Sequence, residues 1–146
     1  MFKKIFRLCL LFISAFTFSM EKRTIFLGQV KNQSNRVYDV DIYGQDHSII
    51  LNTHGTINLN KPIVELVSNQ QFSGKAEVVL KEKMPLGYPG EEQPPKILQI
   101  KAFECYLITI KDVFEKNYIL EPNKQYILHL TIDEEDCLAH ELFSCS

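Results

Sequence analysis

The sequence predicts an all-β fold: an antiparallel two-layer β-sandwich, immunoglobulin-like or jelly-roll-like, of about seven to nine short strands followed by a short C-terminal helix. Two observations carry that prediction. Apolar residues recur at every second position in short runs bounded by Gly, Pro, Asn or Asp, and β-branched and aromatic residues dominate those runs. Between residues 24 and 132 no window keeps its apolar residues at the helical spacing of about 3.6. Without helices to carry parallel crossovers, antiparallel pairing is expected throughout. The chain has no Trp, which disfavours the antibody type of core, where a Trp packs on a disulfide.

Residues 24–30 (TIFLGQV) open the series, and the NQSN cluster at 32–35 supplies a turn. Residues 37–43 alternate cleanly, with Tyr38, Val40 and Ile42 on one face and Asp39 and Asp41 on the other. Short runs at 48–51 and 56–59 flank the turn-forming NTHG at 52–55. Pro62 begins another run, 63–67, since a proline is tolerated at the first residue of a strand. In 75–81, Ala76, Val78 and Leu80 face one way and Glu77, Val79 and Lys81 the other. The segment 82–95 is rich in proline and glycine, which cannot continue a ladder, so it reads as a long loop. From 96 to 110 the chain is too long an apolar run for one flat strand, and a bend or bulge is expected near Glu104 and Cys105. Residues 118–120, a turn at 121–124 and a last strand at 125–132 complete the set, with Tyr126, Leu128, Leu130 and Ile132 inward. Asp133 or Asp136 is placed to cap a short helix reaching Leu142, with Leu138 and Leu142 on one face.

The first residues have a different grammar. Lys3, Lys4 and Arg7 precede an apolar run at 8–18, and Thr17 and Ser19 are the small residues of a signal-peptidase site. As a helix the run would span only ~16 Å, against a hydrocarbon core of roughly 30 Å. The expectation is a signal peptide over residues 1–19, a single domain over 20–146, export to the periplasm or the medium, and no stable membrane span once the signal is removed. Without Lys3, Lys4 and Arg7 the 16 basic residues fall to 13 against 18 acidic ones, a formal charge of −5. An acidic domain lacks the cationic surface that drives nucleic-acid binding, so no nucleic-acid partner is expected.

Cys9 leaves with the signal, and Cys105, Cys137 and Cys145 remain for a compartment that permits disulfides. Cys137 with Cys145 is the favoured bridge because it closes the shortest loop, while Cys105, among Phe103, Tyr106 and Leu107, suits a small buried hydrophobe. A different use of the same residues is a zinc site of Cys105, Cys137, His140 and Cys145.

Catalytic templates fail one after another. There is no Gly-x-Ser-x-Gly elbow, and His140-Glu141 is followed by Ser144 where a zinc protease needs its second His. No enzyme activity and no cofactor are expected. What remains is the 82–95 loop, with Met84, Leu86 and Tyr88 as apolar contacts and Glu91 and Glu92 at the rim. The chain therefore reads as an exported, non-catalytic binding module for a protein or a surface glycan. Its alternatives are the zinc protein and a structural subunit of the cell envelope that contributes a strand to a neighbour. Asn32-Gln33-Ser34 is an N-glycosylation sequon.

Overall fold

Alternation of apolar and polar side chains produces ten strands in the computed structural model, which describes residues 21–42, 48–68, 74–84, 90 and 93–145. They are β1 (Lys22–Asn32), β2 (Tyr38–Ile42), β3 (Ile49–Leu51), β4 (Thr56–Val67), β5 (Gly74–Glu82), β6 (Lys96–Glu104), β7 (Leu107–Lys111), β8 (Glu115–Ile119), β9 (Gln125–Ile132) and β10 (Leu138–Cys145). One sheet has the order β10-β9-β1-β4 and the other β3-β2-β5-β6-β7-β8. Both contribute to a single apolar core: Ile25, Leu27, Leu128 and Leu130 from the first, Val40, Leu80, Leu98, Ile108 and Ile110 from the second, all fully or almost fully buried. Each such side chain stabilises the fold by about 1.5–3 kcal/mol through the water it sheds. The molecule is thus all-β with two sheets over a shared core, consistent with a β-sandwich.

The period-two faces are those read from the sequence. Tyr38, Val40 and Ile42 are buried while Asp41 is exposed, Val78 and Leu80 point inward, and Tyr126, Leu128, Leu130 and Ile132 form the inner face of β9. The long run from 96 breaks at residues 105–106 into β6 and β7, with a register shift between Ala102 and Glu104, beside the expected bend.

Four expectations are corrected. The acidic residues after β9 cap no helix. Asp133 closes a tight turn instead, its Oδ1 accepting from the amides of Glu135 (2.8 Å) and Cys137 (2.9 Å), and the chain returns antiparallel as β10. Short Asp side chains bond nearby amides in turns as readily as at helix caps, and the even residues Leu138, His140 and Leu142 then line one face of a strand. Pairing is also not antiparallel throughout, because β1 runs parallel to β9. No helix is needed for this parallel pair, since the connection between the two strands contains β4 and the entire second sheet. The two runs either side of Pro62 are one strand, β4, whose pairing with β1 shifts register between Ile25 and Phe26, opposite the proline, where no ladder donor is available. Despite this merging the described residues form ten strands, because the 96–110 run divides into β6 and β7 and β10 takes the place of the expected helix.

The fourth correction concerns the cysteines. Cys105, Cys137 and Cys145 are all free. Cys137 and Cys145 lie at opposite ends of β10, about 26 Å apart at roughly 3.3 Å per residue, whereas a disulfide needs Cα atoms within about 7 Å. The same separation prevents the two thiolates from sharing one zinc ion, and no group of metal ligands is assembled among the described residues. No helix among the described residues is long and apolar enough to cross a membrane.

Candidate functional site

Two polar networks converge on one end of the molecule. The first begins in the turn at 112–114, between β7 and β8. Asp112 accepts the Phe114 amide with Oδ1 (2.7 Å), fixing its own turn, and presents Oδ2 to Nδ1 of His140 on β10 at 2.5 Å. The far nitrogen of the same ring, Nε2, lies 2.8 Å from the hydroxyl of Tyr118 on β8. A carboxylate only accepts, so Nδ1 carries a hydrogen, and in the neutral ring Tyr118 donates to Nε2. The side chains of His140 and Asp112 are each 6 % exposed. The chain Asp112–His140–Tyr118 therefore ties the β7–β8 edge of the six-stranded sheet to the β10 edge of the four-stranded one. Lys116 completes it with its ammonium 5.2 Å from the Tyr118 ring centre.

The second network is centred on Asp136, in the turn before β10. Tyr38 donates its hydroxyl to Asp136 Oδ1 (2.9 Å), Arg36 Nε donates to Oδ2 (3.1 Å), and Arg36 Nη1 reaches Glu82 Oε2 (2.9 Å). Burial, reinforced by the bond to Asp136, pushes the Tyr38 phenol well above its ordinary value, and the hydrogen bond to Glu82 raises Arg36. Asp136 holds φ at 62°, the left-handed region that Asp tolerates better than most residues.

Between the two aspartates lies a groove of about 280 Å³, lined by Lys96, Ile97, Asp112, Val113, Asp136, Cys137 and Leu138. Apolar walls of Ile97, Val113 and Leu138 stand between carboxylates whose oxygens are all engaged. Cys137 is exposed, and its nearest polar contact is a weak one, 3.9 Å to the Glu135 carbonyl. The arrangement suits recognition better than acid–base chemistry, because the imidazole has both nitrogens occupied. A second, shallow concavity of about 420 Å³ lies on the four-stranded sheet between Lys22, Thr24, Phe26, Pro62, Glu65 and residues 123–125. Its Lys22 and Glu65 pair with each other at 3.2 Å, and Lys124 pairs with Glu121.

Of the residues singled out in the sequence, Met84 is half-buried just after β5, whereas Leu86, Tyr88, Glu91 and Glu92 lie outside the described residues. The 82–95 segment re-enters the fold at Lys96, on the rim of the groove. Cys137 borders the groove, while Cys105 lies at the other end of β6 and Cys145 at the other end of β10. Asn32 of the sequon is 1 % exposed, and its Nδ2 donates to the carbonyls of Arg36 (2.7 Å) and Asn52 (3.1 Å), so in the fold it is a structural residue closed to modification.

Neither network is visible as a motif, because its members come from strands far apart in the chain. One signal was available: once 138–142 is read as a strand, His140 falls on the same inward face as Leu138 and Leu142, where an imidazole needs partners. No protein-family model matches this chain, and no curated protein matches it either.

Proposed function

We propose that this chain is an exported, non-catalytic binding module that holds another protein at the groove end of the molecule. The observation that carries the reading is the group of exposed apolar side chains beside the groove. Ile97, Val113 and Phe114 are exposed at the groove end of the meander β6-β7-β8, while Phe103, Tyr106 and Ile119 are exposed at its opposite end and Ile50 and Phe143 lie elsewhere among the large exposed apolar residues described. Monomeric surfaces rarely leave such groups side by side without a partner. Val113 and Phe114 are 61 % and 77 % exposed although the Asp112 carboxylate holds their turn in place, so a pre-set apolar tip stands beside the groove.

On their sequence, Met84, Leu86 and Tyr88 supply further apolar contacts from the 82–95 loop, with Glu91 and Glu92 at the rim. The two sheets fit a sandwich of the immunoglobulin-like or jelly-roll-like kind, in which rigid sheets position recognition loops. Export rests on the basic, apolar and small-residue zones of residues 1–19, and mass analysis of the protein recovered from the envelope or medium tests it: a chain beginning at Met20 is expected.

The binding reading is tested with the immobilised full chain, incubated with proteins of the envelope fraction and, in parallel, with a panel of surface glycans. A retained protein whose recovery falls at least fivefold in V113S/F114S, with the melting temperature unchanged, is the expected result. Retention of a glycan instead, or retention of the protein indifferent to these substitutions, overturns it.

A further inference from the structure

We propose that β8 is a self-complementary edge through which two copies of this chain join their six-stranded sheets antiparallel, with Asn117 on the two-fold axis. Strand β8 is the last of its sheet, and no described strand pairs with its outer side. Which main-chain groups face that side follows from the pairing with β7. The Leu120 amide donates to the Tyr106 carbonyl (2.7 Å) and the Asp112 amide to the Phe114 carbonyl (3.1 Å), and the register 107↔119, 109↔117, 111↔115 runs unbroken between them. Hydrogen-bonded and non-bonded pairs alternate in an antiparallel ladder. The even residues of β8 therefore direct their N–H and C=O groups at β7, and Glu115, Asn117 and Ile119 direct theirs at the open edge.

A two-fold pairing about Asn117 sets Asn117 opposite Asn117 and Glu115 opposite Ile119. These are the residues with outward amides and carbonyls, so every outward group of the strand acquires a partner. The side chains match as well. On the outer face Thr109 donates its hydroxyl to Asn117 Oδ1 (2.6 Å), leaving the carboxamide NH2 and the second lone pair of the oxygen for the facing Asn117. The row across the joined sheets becomes Thr109, Asn117, Asn117, Thr109. On the inner face Lys116 falls opposite Tyr118, a cation beside an aromatic ring as within one copy. Ile119, 77 % exposed, has its apolar surface covered by the aliphatic part of Glu115.

Edge strands ordinarily carry protection against such pairing, in the form of proline, a bulge, shortness or an inward charge. In this chain β4 has Pro62 and two register shifts and β3 has three residues, whereas the fourth edge, β10, has eight residues, no proline and an unbroken register, and is open as β8 is. β8 has neither proline nor register shift, and the ammonium of its one inward charge, Lys116, is drawn over Tyr118.

Sedimentation velocity of the full chain from roughly 5 to 500 µM, the range suited to an interface at the small end of the usual size classes, should show a reversible monomer–dimer equilibrium. I119K, at an exposed position, and N117P, which removes the amide on the axis, should each raise the dissociation constant at least tenfold. I119K keeps the test valid if N117P fails to fold. Geometry is read separately by oxidation in a background with Cys9, Cys105, Cys137 and Cys145 changed to Ser: Asn117→Cys should cross-link to a covalent dimer and Glu115→Cys should not, because only residue 117 meets its own copy at about 5.5 Å. A monomer at all concentrations, a dimer untouched by I119K, or equal cross-linking at 115 and 117 overturns the proposal. Loss of dimer with partner retention intact separates this edge from the groove.

Discussion

Nδ1 of His140 on β10 stands 2.5 Å from Oδ2 of Asp112 in the β7–β8 turn, and this contact joins the edges of two different sheets. Main-chain hydrogen bonds hold strands within a sheet, but nothing in a ladder fixes one sheet edge to the other. Here a buried imidazole does so, with its second nitrogen held by Tyr118.

Removal of the imidazole leaves a carboxylate buried without its partner, which costs more than the bond itself. His140→Ala is expected to lower the unfolding free energy by about 2–4 kcal/mol, and Tyr118→Phe by about 1 kcal/mol, in urea titrations. Asp112→Asn keeps one acceptor oxygen, enough for either His140 or the Phe114 amide but not both, so its loss should be smaller than that of Asp112→Ala. A double-mutant cycle between positions 112 and 140 should show a coupling above about 0.5 kcal/mol. Additive effects would mean that the contact does not tie the two edges together.

Tyr38 gives a pH prediction with a definite sign. Its phenol is raised in the folded protein by burial and by Asp136, so the neutral form is the one the fold favours. That contribution is fully present below the unfolded value near pH 10 and declines as pH climbs above it, because only the unfolded chain releases the proton there. Stability should therefore fall with pH above about 10, and Tyr38→Phe should flatten that limb while costing about 1 kcal/mol at pH 7 for the lost bond to Asp136. Thermal melts of both proteins between pH 8 and 11.5 measure it; parallel alkaline limbs would exclude Tyr38 as the source.

Much of this architecture was legible from period-two patterning, and the reasons it stopped being legible are local. The faces of β2, β5 and β9 followed from alternation alone, because one side of each strand meets the core and the other does not. Residues 133–142 misled because Asp and Glu satisfy helix N-termini and tight turns with the same short side-chain bonds, while Leu138 and Leu142, four apart, fit both a helical face and every second strand position. Cysteine spacing misled for a related reason: eight residues are a short loop in a coil but the full length of an extended strand. The sheet-bridging networks had no linear trace, since Asp112, Tyr118 and His140 meet only after three strands have found their sheets.

Gly28 tests the packing on the other face of the four-stranded sheet. Both pairings of β1 shift register between Leu27 and Gln29, and a Cβ at Gly28 would lie 2.5 Å from Ile127 Cγ2 and 3.3 Å from the His129 ring. A β-branched methyl cannot swing aside, so Gly28→Ala should cost about 1–3 kcal/mol. Ile127→Ala removes the obstructing methyl, and the double variant Gly28→Ala/Ile127→Ala should be more stable than the sum of the single losses predicts. The T-shaped contact of His129 with Phe143, 5.0 Å between ring centres, should be disturbed in the single Gly28 variant and recovered in the double one, visible in the His129 ring resonances.

The thiols provide a last discriminating measurement. Cys137 and Cys145 occupy the two ends of an extended strand and Cys105 lies in the β6–β7 turn, so each should react with a thiol reagent in protein that has never met a reductant. Cys137, the exposed one, should react first, with Cys105 and Cys145 slower by about the degree of their burial. Cys137→Ser should leave stability within about 0.5 kcal/mol of the parent, as expected for an exposed site. Loss of a native disulfide would instead cost about 2–5 kcal/mol. A parent protein with one reactive thiol, or a Cys137→Ser variant destabilised by that larger amount, would require β10 to fold back on itself and would dissolve the Asp112–His140 bond with it.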